Sequence, residues 1–497
     1  MNKFPLNALG GLLVFVAVMV GIHYETGGSK GADLRAALRP VADFSHSAWL
    51  PIVPVPMPGV PEALAVPHPP VGNVSGALAA MMAANPQADT DYLDDGGGAL
   101  DHFYAALQTE DEGHGDVQVR IVHYGDSPTT ADLITGDARE ILQSRFGNGG
   151  PGFLLIDRPW AWYGHYGVDL SGDGWTIETA VGSMRAARYG LGGAIFTGSA
   201  GAVSRIRLQN ADTTVVEVEY LQQSNGGTVQ VLADGSPAGQ VQTSGVDGEN
   251  GAATVSLPPG TKELELRVIS GTVKLFGVAL GREGRGLTYD SIGLNGASTT
   301  VMSRAFDEAS FAAALQHRRP DLVIINYGTN ESTYLNYVNT QYEGELRRAI
   351  ARVRVALPEA SILIMSPMDR GIRGGGNAIG TYPAIPVIVG IQQRVAQDTG
   401  CGFFNTYQAM GGEGTMERWY DGHPRMVGAD LIHPSPQGAR IVAQSLTGQL
   451  LIGYERYEQH HPQTGNQSGN EHPAATPPTI ATSSNHPAST PKLITQN

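Results

Sequence analysis

The chain has 497 residues, including 65 glycines and 31 prolines, and its formal net charge is -15. This length exceeds that of one ordinary compact domain, so we expect two folded units together with tails. The acidic charge argues against nucleic acid as a partner, and a charged fraction of only 16% favours an exported protein. The single cysteine, Cys401, cannot form a disulfide within the chain.

The N-terminal segment predicts where the protein is located. Lys3 precedes an apolar run from Ala8 to Ile22, which is about as long as a signal-peptide core and shorter than the roughly 20 residues of an ordinary membrane span. No A-x-A-like cleavage site follows closely, so residues 1–26 are interpreted as a signal peptide or an uncleaved membrane anchor. A buried core helix is the alternative. We expect a periplasmic or extracellular protein, with anchoring to the inner membrane as an option.

A spacer and the start of a folded region follow. Residues 27–73 are rich in Pro, Ala and Gly, a composition that favours an extended, polyproline-like linker. Residues 74–170 are predicted to form the first part of a catalytic domain. Short helical patterns at Val74–Ala84 and Ala99–Leu107 mark its entry.

The stretch from Gln118 to Asp132 predicts a strand, a sharp turn and a helix. Apolar β-formers lead to Gly-Asp-Ser, and a helical pattern covers Thr130–Leu142. The serine of this turn, Ser127, would present its Oγ beyond the sheet, where backbone N–H groups can face an oxyanion. Asp126 is interpreted as a residue that holds the turn rather than as a catalytic acid.

An aromatic cluster follows this unit. Its side chains are predicted either to stack on sugar rings or to pack within the core or between domains. The cluster consists of Trp160, Trp162, Tyr163, His165 and Tyr166.

Residues 171–284 have a different pattern, in which apolar and polar residues alternate between turns rich in Gly, Asn, Asp or Pro. This pattern is typical of an antiparallel β-sandwich. The segments on either side have a different pattern, in which strands alternate with helices, so the sandwich is predicted to be inserted into the catalytic domain. It could bind sugar or serve as a structural cover over the active site.

Residues 285–454 return to alternating strands and helices, which predicts the second part of a doubly wound parallel α/β sheet. Sites in such sheets lie at the carboxyl ends of the strands. Residues 455–497 lack apolar periodicity and predict a disordered tail, whose four histidines could bind metal only adventitiously. The main predicted elements are the helix Thr300–His317, the strand Leu322–Tyr327, the helices Tyr342–Leu357 and Pro386–Gln397, and the last helix Gly438–Leu451.

Asp430 and His433 stand three residues apart, just before the last predicted helix. At this spacing the carboxylate can reach imidazole Nδ1, leaving Nε2 free to take a proton from Ser127, as in a Ser-His-Asp triad. The rival pair is Asp421 with His423, which could instead line the cleft or bind substrate.

Three groups are candidates for an oxyanion hole. The N–H of Ser127, the unobstructed backbone N–H of Gly296 and the side-chain amide of Asn330 all follow predicted strands. Each such donor can stabilise a transition state by about 3 kcal/mol. The structural alternatives are a plain left-handed turn for Gly296 and a capping or turn residue for Asn330.

The GDS turn, the glycine of LNGAS, the GTNE segment and DLIH occur in the order of the four blocks of the SGNH, or GDSL-type, hydrolases, which this chain resembles. The resemblance implies a flavodoxin-like three-layer fold. It also implies Ser127 as nucleophile, Gly296 and Asn330 as oxyanion donors, and Asp430 with His433 as the rest of the triad. A sandwich inserted between the first two blocks resembles the periplasmic peptidoglycan O-acetylesterases, in which the insert is similar to a carbohydrate-binding module of type 35.

Two positions depart from the family pattern. Glu331 stands where many members have Asp, a change that the family tolerates. Pro128 follows the nucleophile and has no N–H, so it cannot donate to an oxyanion. The N–H of Ser127 itself must therefore take that role.

The functional hypothesis is a serine esterase that removes O-acetyl groups from a cell-envelope polysaccharide, with peptidoglycan as the candidate, and that needs no cofactor or metal. The same site would be an O-acetyltransferase if a sugar hydroxyl replaced water. A general esterase or lipase and a non-catalytic glycan-binding protein are further alternatives.

Overall fold

The structure, a computed structural model, describes residues 91–113, 118–183 and 185–461. Four predicted features lie outside these residues: the signal peptide or anchor (1–26), the linker (27–73), the helical pattern at Val74–Ala84 and most of the tail (455–497). Among the helices in the described ranges, none is long and apolar enough to cross a membrane.

The elements are numbered in chain order. The strands are β1 (Leu93–Asp94), β2 (Val119–Gly125), β3 (Gly152–Leu154), β4 (Val168–Thr179), β5 (Ala194–Leu208), β6 (Val215–Leu221), β7 (Thr228–Ala233), β8 (Ser236–Gln242), β9 (Asn250–Ser256), β10 (Glu263–Ser270), β11 (Thr272–Gly281), β12 (Leu287–Gly293), β13 (Leu322–Asn326), β14 (Ser361–Met365), β15 (Gly371–Arg373), β16 (Ile379–Thr381) and β17 (Gly402–Phe404). The α-helices are α1 (Asp101–Asp111), α2 (Ser127–Thr130), α3 (Leu133–Phe146), α4 (Glu308–Arg318), α5 (Leu335–Tyr337), α6 (Glu343–Ala356), α7 (Ala384–Thr399), α8 (Thr406–Ala409), α9 (Thr415–Asp421) and α10 (Pro436–His460).

In the described part of the chain, six strands form a mixed sheet in the order β1-β17-β14-β13-β2-β12. The five strands from β17 to β12 are parallel to one another, and β1 joins the edge antiparallel to β17. β13 and β14 are apolar along almost their whole length, as strands covered on both faces must be. The predicted α/β class is therefore confirmed.

Helices cover both faces of this sheet, because successive side chains of a strand point to opposite sides. Ile121 and Leu363 lie in the buried cluster that includes α1, α3 and α10. Their neighbours Val122 and Ile364 lie in the cluster that includes α4, α6 and α7. The α/β unit thus has three layers.

The strands β3 to β11 form a second sheet, in which every pairing among the described strands is antiparallel. The long β5 pairs with β4, β10 and β11, so the strands belong to one hydrogen-bonded network. Alternate residues of β6 and β10, such as Val218 and Leu266, are fully buried. They belong to the same cluster as Tyr124 of the α/β sheet, whose hydroxyl donates to the Leu191 carbonyl at 3.2 Å. The two sheets therefore share a core.

The chain enters and leaves this antiparallel unit at one place. The Gly149 amide donates to the Leu287 carbonyl at 3.0 Å, and the Leu287 amide donates to the Gly147 carbonyl at 2.9 Å. The Arg282 amide donates to the Gly149 carbonyl at 3.0 Å. The segments before β3 and after β11 are thus hydrogen-bonded side by side.

The antiparallel unit begins earlier than residue 171, its predicted start. β4 starts at Val168, and the three-residue β3 already pairs with β11. Phe153 and Leu154 of β3 are almost fully buried. A strand of three residues is too short to show alternation, so the pattern could not reveal it.

The predicted tail starts too early, because α10 continues to His460 rather than ending at Leu451. Tyr454 is only 1% exposed, and its ring lies edge-on to Phe146 with the centroids 5.5 Å apart. Tyr457 contacts Tyr104 of α1. These aromatic contacts give the last turns of the helix a packing surface.

The helix predicted at Thr300–His317 is interrupted. A π-helical turn covers Val301–Ala305, and α4 starts only at Glu308. Asp307 caps α4 by accepting a hydrogen bond from the Ser310 amide, as N-cap residues do. The Asp307 amide also donates to the Ala187 carbonyl at 2.8 Å, so the interruption contacts the segment between β4 and β5.

Candidate active site

Three neighbouring strands of the α/β sheet, β13, β2 and β12, end at the same level. Gly125, the last residue of β2, pairs with Gly293 of β12 on one side and with Asn326 of β13 on the other. The loops that follow these three strands therefore emerge together at the carboxyl edge of the sheet, where sites of such folds lie. These loops carry Ser127, Gly296 and Asn330.

The GDS turn is tight because β2 leads directly into α2. A Cβ on Gly125 would lie 2.1 Å from the Thr129 hydroxyl oxygen, so this close approach requires glycine. Ser127 is the first residue of α2 and is partly exposed. Its N–H belongs to the first turn of a helix, where amides have no partner within the helix. The following Pro128 is buried and has no N–H to offer.

The helix predicted at Thr130–Leu142 consists of two pieces. Asp132 has a φ of 54° and separates α2 from α3. Its buried carboxylate is 2.5 Å from Arg139 Nη2 and accepts a hydrogen bond from the Tyr166 amide. Asp132 therefore fixes the start of α3 and attaches the aromatic segment to it.

Asp430 and His433 lie on a loop that precedes α10. His433 Nδ1 is 2.8 Å from Asp430 Oδ2, and Asp430 Oδ1 accepts hydrogen bonds from the amides of Ile432 and His433. The His433 carbonyl accepts a hydrogen bond from the Gly428 amide at 2.8 Å. The imidazole is therefore held through Nδ1, and Nε2 remains the atom that can exchange a proton.

The carboxylate of this pair is stabilised in its charged form. Partial burial of Asp430 opposes ionisation, but the hydrogen bonds and the positive field of His433 outweigh it and lower the pKa of Asp430. A negative carboxylate at this place can stabilise the imidazolium that forms when a histidine takes a proton in catalysis.

Gly296 lies in a turn closed by the Ala297 amide, which donates to the Leu294 carbonyl at 3.0 Å. Its φ of 74° is in the left-handed region, and the space next to its Cα is open. Asn330 Nδ2 donates to the Ala297 carbonyl at 2.7 Å. Because an amide carries two N–H groups, Asn330 can attach to this turn and still offer a second donor.

Glu331 connects the two loops that carry these donors. One of its oxygens accepts hydrogen bonds from the Thr299 amide at 2.7 Å and from the Thr299 hydroxyl at 2.8 Å. The other accepts a hydrogen bond from the Gly328 amide at 3.1 Å. The side chain is only 3% exposed, and burial raises its pKa. The residue that departs from the family pattern is thus a positioning residue for both loops, which its sequence context does not reveal.

Asp126 is 4% exposed. Burial and the neighbouring Glu331 raise the pKa of Asp126 to about 7, although His433 and a hydrogen bond from Thr329 act in the opposite direction. Its backbone carbonyl accepts hydrogen bonds from the amide and hydroxyl of Thr130. His433 therefore lies within electrostatic range of Asp126.

Not all candidate catalytic residues are hydrogen-bonded to one another in the described part of the chain. Between the described side chains there is no hydrogen bond from Ser127 Oγ to His433, although catalytic hydrogen bonds are often long in the absence of substrate. The rival residues Asp421 and His423 are both exposed at the end of α9 and in the turn after it. No ion pair connects these two in the described ranges.

The aromatic cluster is mostly structural. Tyr163 and His165 are buried, and the Tyr163 hydroxyl accepts a hydrogen bond from the Leu155 amide. Trp162 is partly exposed, and its indole N–H donates to Asn295 Oδ1 at 3.0 Å. Trp162 therefore lies beside the Gly296 turn, where it can contact a ligand.

Groups of three or more His, Cys, Asp or Glu side chains that could hold a metal ion do not occur within residues 91–113, 118–183 and 185–461.

Part of the chain matches a known protein family. Residues 270–441 match the model of the GDSL-like lipase/acylhydrolase family, which confirms the predicted resemblance to SGNH hydrolases. No protein of curated function matches the sequence significantly.

A solved structure with a TM-score above 0.5 shares the fold. A peptidoglycan O-acetylesterase aligns with a TM-score of 0.64 and 24% identity, over 73% of this chain and 99% of its own. A family two carbohydrate esterase from Clostridium thermocellum, solved with cellohexaose, aligns with a TM-score of 0.24 and 15% identity, over 56% of this chain and 100% of its own.

Proposed function

We propose that this chain, a carboxylic ester hydrolase with a GDSL-like lipase/acylhydrolase domain, removes O-acetyl groups from a cell-envelope glycan, with peptidoglycan as the first candidate. The observation that carries the proposal is the Asp430–His433 pair on the loop before α10, in which Asp430 Oδ2 and His433 Nδ1 are 2.8 Å apart. The similarity to a peptidoglycan O-acetylesterase over 99% of that chain supports the choice of substrate.

In the proposed acylation step, Ser127 Oγ attacks the acetyl carbonyl carbon while His433 Nε2 takes the hydroxyl proton. The negative oxygen accepts hydrogen bonds from the N–H groups of Ser127 and Gly296 and from Asn330 Nδ2. The ester C–O bond then breaks, and the imidazolium gives its proton to the departing sugar oxygen. Acetyl-serine and a free sugar hydroxyl result.

In the proposed deacylation step, His433 takes a proton from water, whose oxygen attacks the acetyl-serine at the same carbonyl. The same donors hold the second oxyanion. The Ser127 Oγ–carbon bond breaks, the imidazolium returns its proton to Oγ, and acetate leaves. Asp430 keeps the imidazole in one tautomer and stabilises its charged form throughout.

The proposal includes an arrangement of the whole chain. The order of the parallel strands supports a flavodoxin-like catalytic domain, into which the antiparallel unit is inserted as a module resembling a carbohydrate-binding sandwich. Trp162 beside the Gly296 turn is the aromatic side chain that we expect to contact sugar. The apolar run Ala8–Ile22 would export the enzyme and, if it is not cleaved, anchor it to the inner membrane.

The test is acetate release from O-acetylated peptidoglycan, compared with acetylated xylan, by wild type and Ser127→Ala. We expect release from peptidoglycan, and a loss of roughly 10⁴-fold or more in the variant because the nucleophile is missing. Circular dichroism checks that the variant is folded. Equal release of acetate from both polymers would contradict the proposed preference for peptidoglycan. Full activity of Ser127→Ala would contradict the proposed mechanism.

A general esterase and an acetyltransferase predict different results in the same assay. A lipase-like enzyme would prefer long-chain chromogenic esters over acetyl esters. A transferase would move acetyl groups to an added glycan acceptor and would release little free acetate.

A further inference from the structure

Arg370 occupies a position between two of the proposed catalytic loops. It follows β14 and precedes β15, and its Nη1 lies 3.2 Å from the Thr329 carbonyl, next to Asn330. The hydroxyls of Ser332 and Thr333 are each 2.8 Å from the same nitrogen. The next residue, Gly371, donates its amide to the Leu431 carbonyl at 2.8 Å, two residues before His433. Arg370 is thus at the rim of the candidate active site.

This arginine has no carboxylate partner among the described residues, in a chain with 47 acidic and 32 basic residues. Two fully buried arginines do have one, Arg139 with Asp132 and Arg318 with Asp290, whereas the partly buried Arg352 and Arg354 donate to backbone carbonyls instead. The guanidinium of Arg370 lies 4.6 Å from the ring centroid of Tyr382. Partial burial lowers the pKa of Arg370, and Tyr382 opposes this effect.

The guanidinium retains unused donors. An arginine has five N–H groups, and those on Nε and Nη2 of Arg370 have no acceptor within the part of the chain that the structure describes. These two nitrogens form one edge of a planar fork whose geometry matches both oxygens of a carboxylate.

We propose that Arg370 binds a carboxylate of the acetylated glycan and so makes the enzyme selective for anionic over neutral acetylated sugars. The inference rests on the proposed function and names its substrate class. The carboxylate sits on the substrate at a distance from the ester that is hydrolysed. Arg370 is therefore a specificity-determining residue that takes no part in bond making or breaking.

The test uses a matched pair of substrates, 6-O-acetyl-N-acetylmuramic acid and 6-O-acetyl-N-acetylglucosamine. They carry the same ester and differ by the lactyl carboxylate of the first. We expect the ratio of their kcat/KM values to favour the anionic sugar in wild type and to fall about tenfold in Arg370→Gln, mainly through KM. A charge-assisted hydrogen bond to a partly exposed group accounts for this size. Added salt should also lower the wild-type ratio.

Arg354→Gln is the matched control. Arg354 also lacks a carboxylate partner in the described structure, and it donates to the carbonyls of Ala360 and Gly400 at 2.7 and 3.0 Å. These carbonyls precede β14 and β17, at the edge of the sheet opposite the candidate site. We expect this variant to keep the wild-type ratio.

If Arg370 only supports the Asn330 loop, kcat/KM in Arg370→Gln will fall equally for both sugars and the ratio will stay constant. That result, or a wild type without preference, overturns the inference. A third substrate, with the lactyl group amide-linked to a short peptide that ends in a carboxylate, identifies the source. If wild type still prefers this third substrate over 6-O-acetyl-N-acetylglucosamine, Arg370 binds the carboxylate of the peptide. If that preference disappears, Arg370 binds the lactyl carboxylate of the sugar.

Failure of the proposed function gives a separate result. In that case neither sugar acetate is hydrolysed while p-nitrophenyl acetate still is. Carboxylate binding at Arg370 is then tested by measuring how strongly each sugar inhibits the hydrolysis of p-nitrophenyl acetate. Stronger inhibition by N-acetylmuramic acid than by N-acetylglucosamine, lost in Arg370→Gln, supports carboxylate binding, and equal inhibition in wild type overturns it.

Discussion

At the scale of single residues, Glu331 shows how one buried carboxylate can organise two loops. Three donors from Thr299 and Gly328 converge on its oxygens. We expect Glu331→Gln to lower the free energy of unfolding by about 1–3 kcal/mol, because an amide N–H₂ would replace one acceptor and leave a buried donor without a partner. We also expect turnover of a small acetyl ester to fall roughly tenfold, because the proposed oxyanion donors, Gly296 and Asn330, lie on these loops.

Thr299→Val is the control for Glu331→Gln. It removes one hydroxyl donor and keeps the amide hydrogen bond of Thr299. Urea denaturation and kcat for p-nitrophenyl acetate should therefore change less than in Glu331→Gln. If Glu331→Gln retains wild-type kcat, the carboxylate contributes to stability alone.

The residues of the candidate site differ in how far the sequence predicts them. The spacing of Asp430 and His433 predicted that the two side chains could meet, and they are 2.8 Å apart. Their catalytic roles, and those of Ser127, Gly296 and Asn330, remain predictions. Glu331 and Arg370 have partners from neighbouring loops that are distant in sequence, so no local pattern indicates what they contact.

At the scale of elements, α10 depends on its packing more than on its pattern. Tyr454 is 1% exposed, and its hydroxyl is 3.2 Å from Asp111 Oδ2 and 3.0 Å from Glu458 Oε1. We expect Tyr454→Ala to lower the free energy of unfolding by roughly 3–5 kcal/mol, because it leaves a cavity and unpaired groups. Tyr457→Ala, at a half-buried position of the same helix, should cost less. Equal losses in urea denaturation would contradict this account.

Element boundaries were harder to predict than element types. The apolar strands β13 and β14 stand out in the sequence because both faces are buried. The interruption at Asp307 involves a contact with Ala187 in the segment between β4 and β5, and the extension of α10 involves a contact with Tyr104 of α1. Periodicity carries no information about such contacts.

At the scale of the whole molecule, charged groups lie where the antiparallel unit meets the α/β unit. His317 of α4 is 3.0 Å from Glu217 of β6, and Arg318 is 2.6 Å from Asp290 of β12. Glu219 of β6 is only 5% exposed. Burial raises the pKa of Glu219. The negative charges of Glu217 and Asp290 raise it further, and the positive charges of Arg318 and His317 oppose the shift.

A raised carboxyl pKa means that the folded state holds the proton more tightly than the unfolded chain. The contribution of Glu219 to stability is therefore complete below the ordinary glutamate pKa and is lost as pH rises through the folded-state pKa. We expect Glu219→Gln to unfold at a higher urea concentration than wild type at pH 8, with a smaller difference at pH 5. A difference that does not change with pH would contradict this prediction.

The junction at Gly149 and Leu287 has a consequence for the order in which the molecule folds. β2 and β12 pair side by side although the whole antiparallel unit separates them in sequence. Closing a long flexible loop costs conformational entropy, and pairings between distant segments slow folding. Once the antiparallel unit has folded, its two ends are already together, and only the short segments that connect it to β2 and β12 remain to be ordered. If the antiparallel unit folds first, we therefore expect a lower entropic cost of pairing β2 with β12.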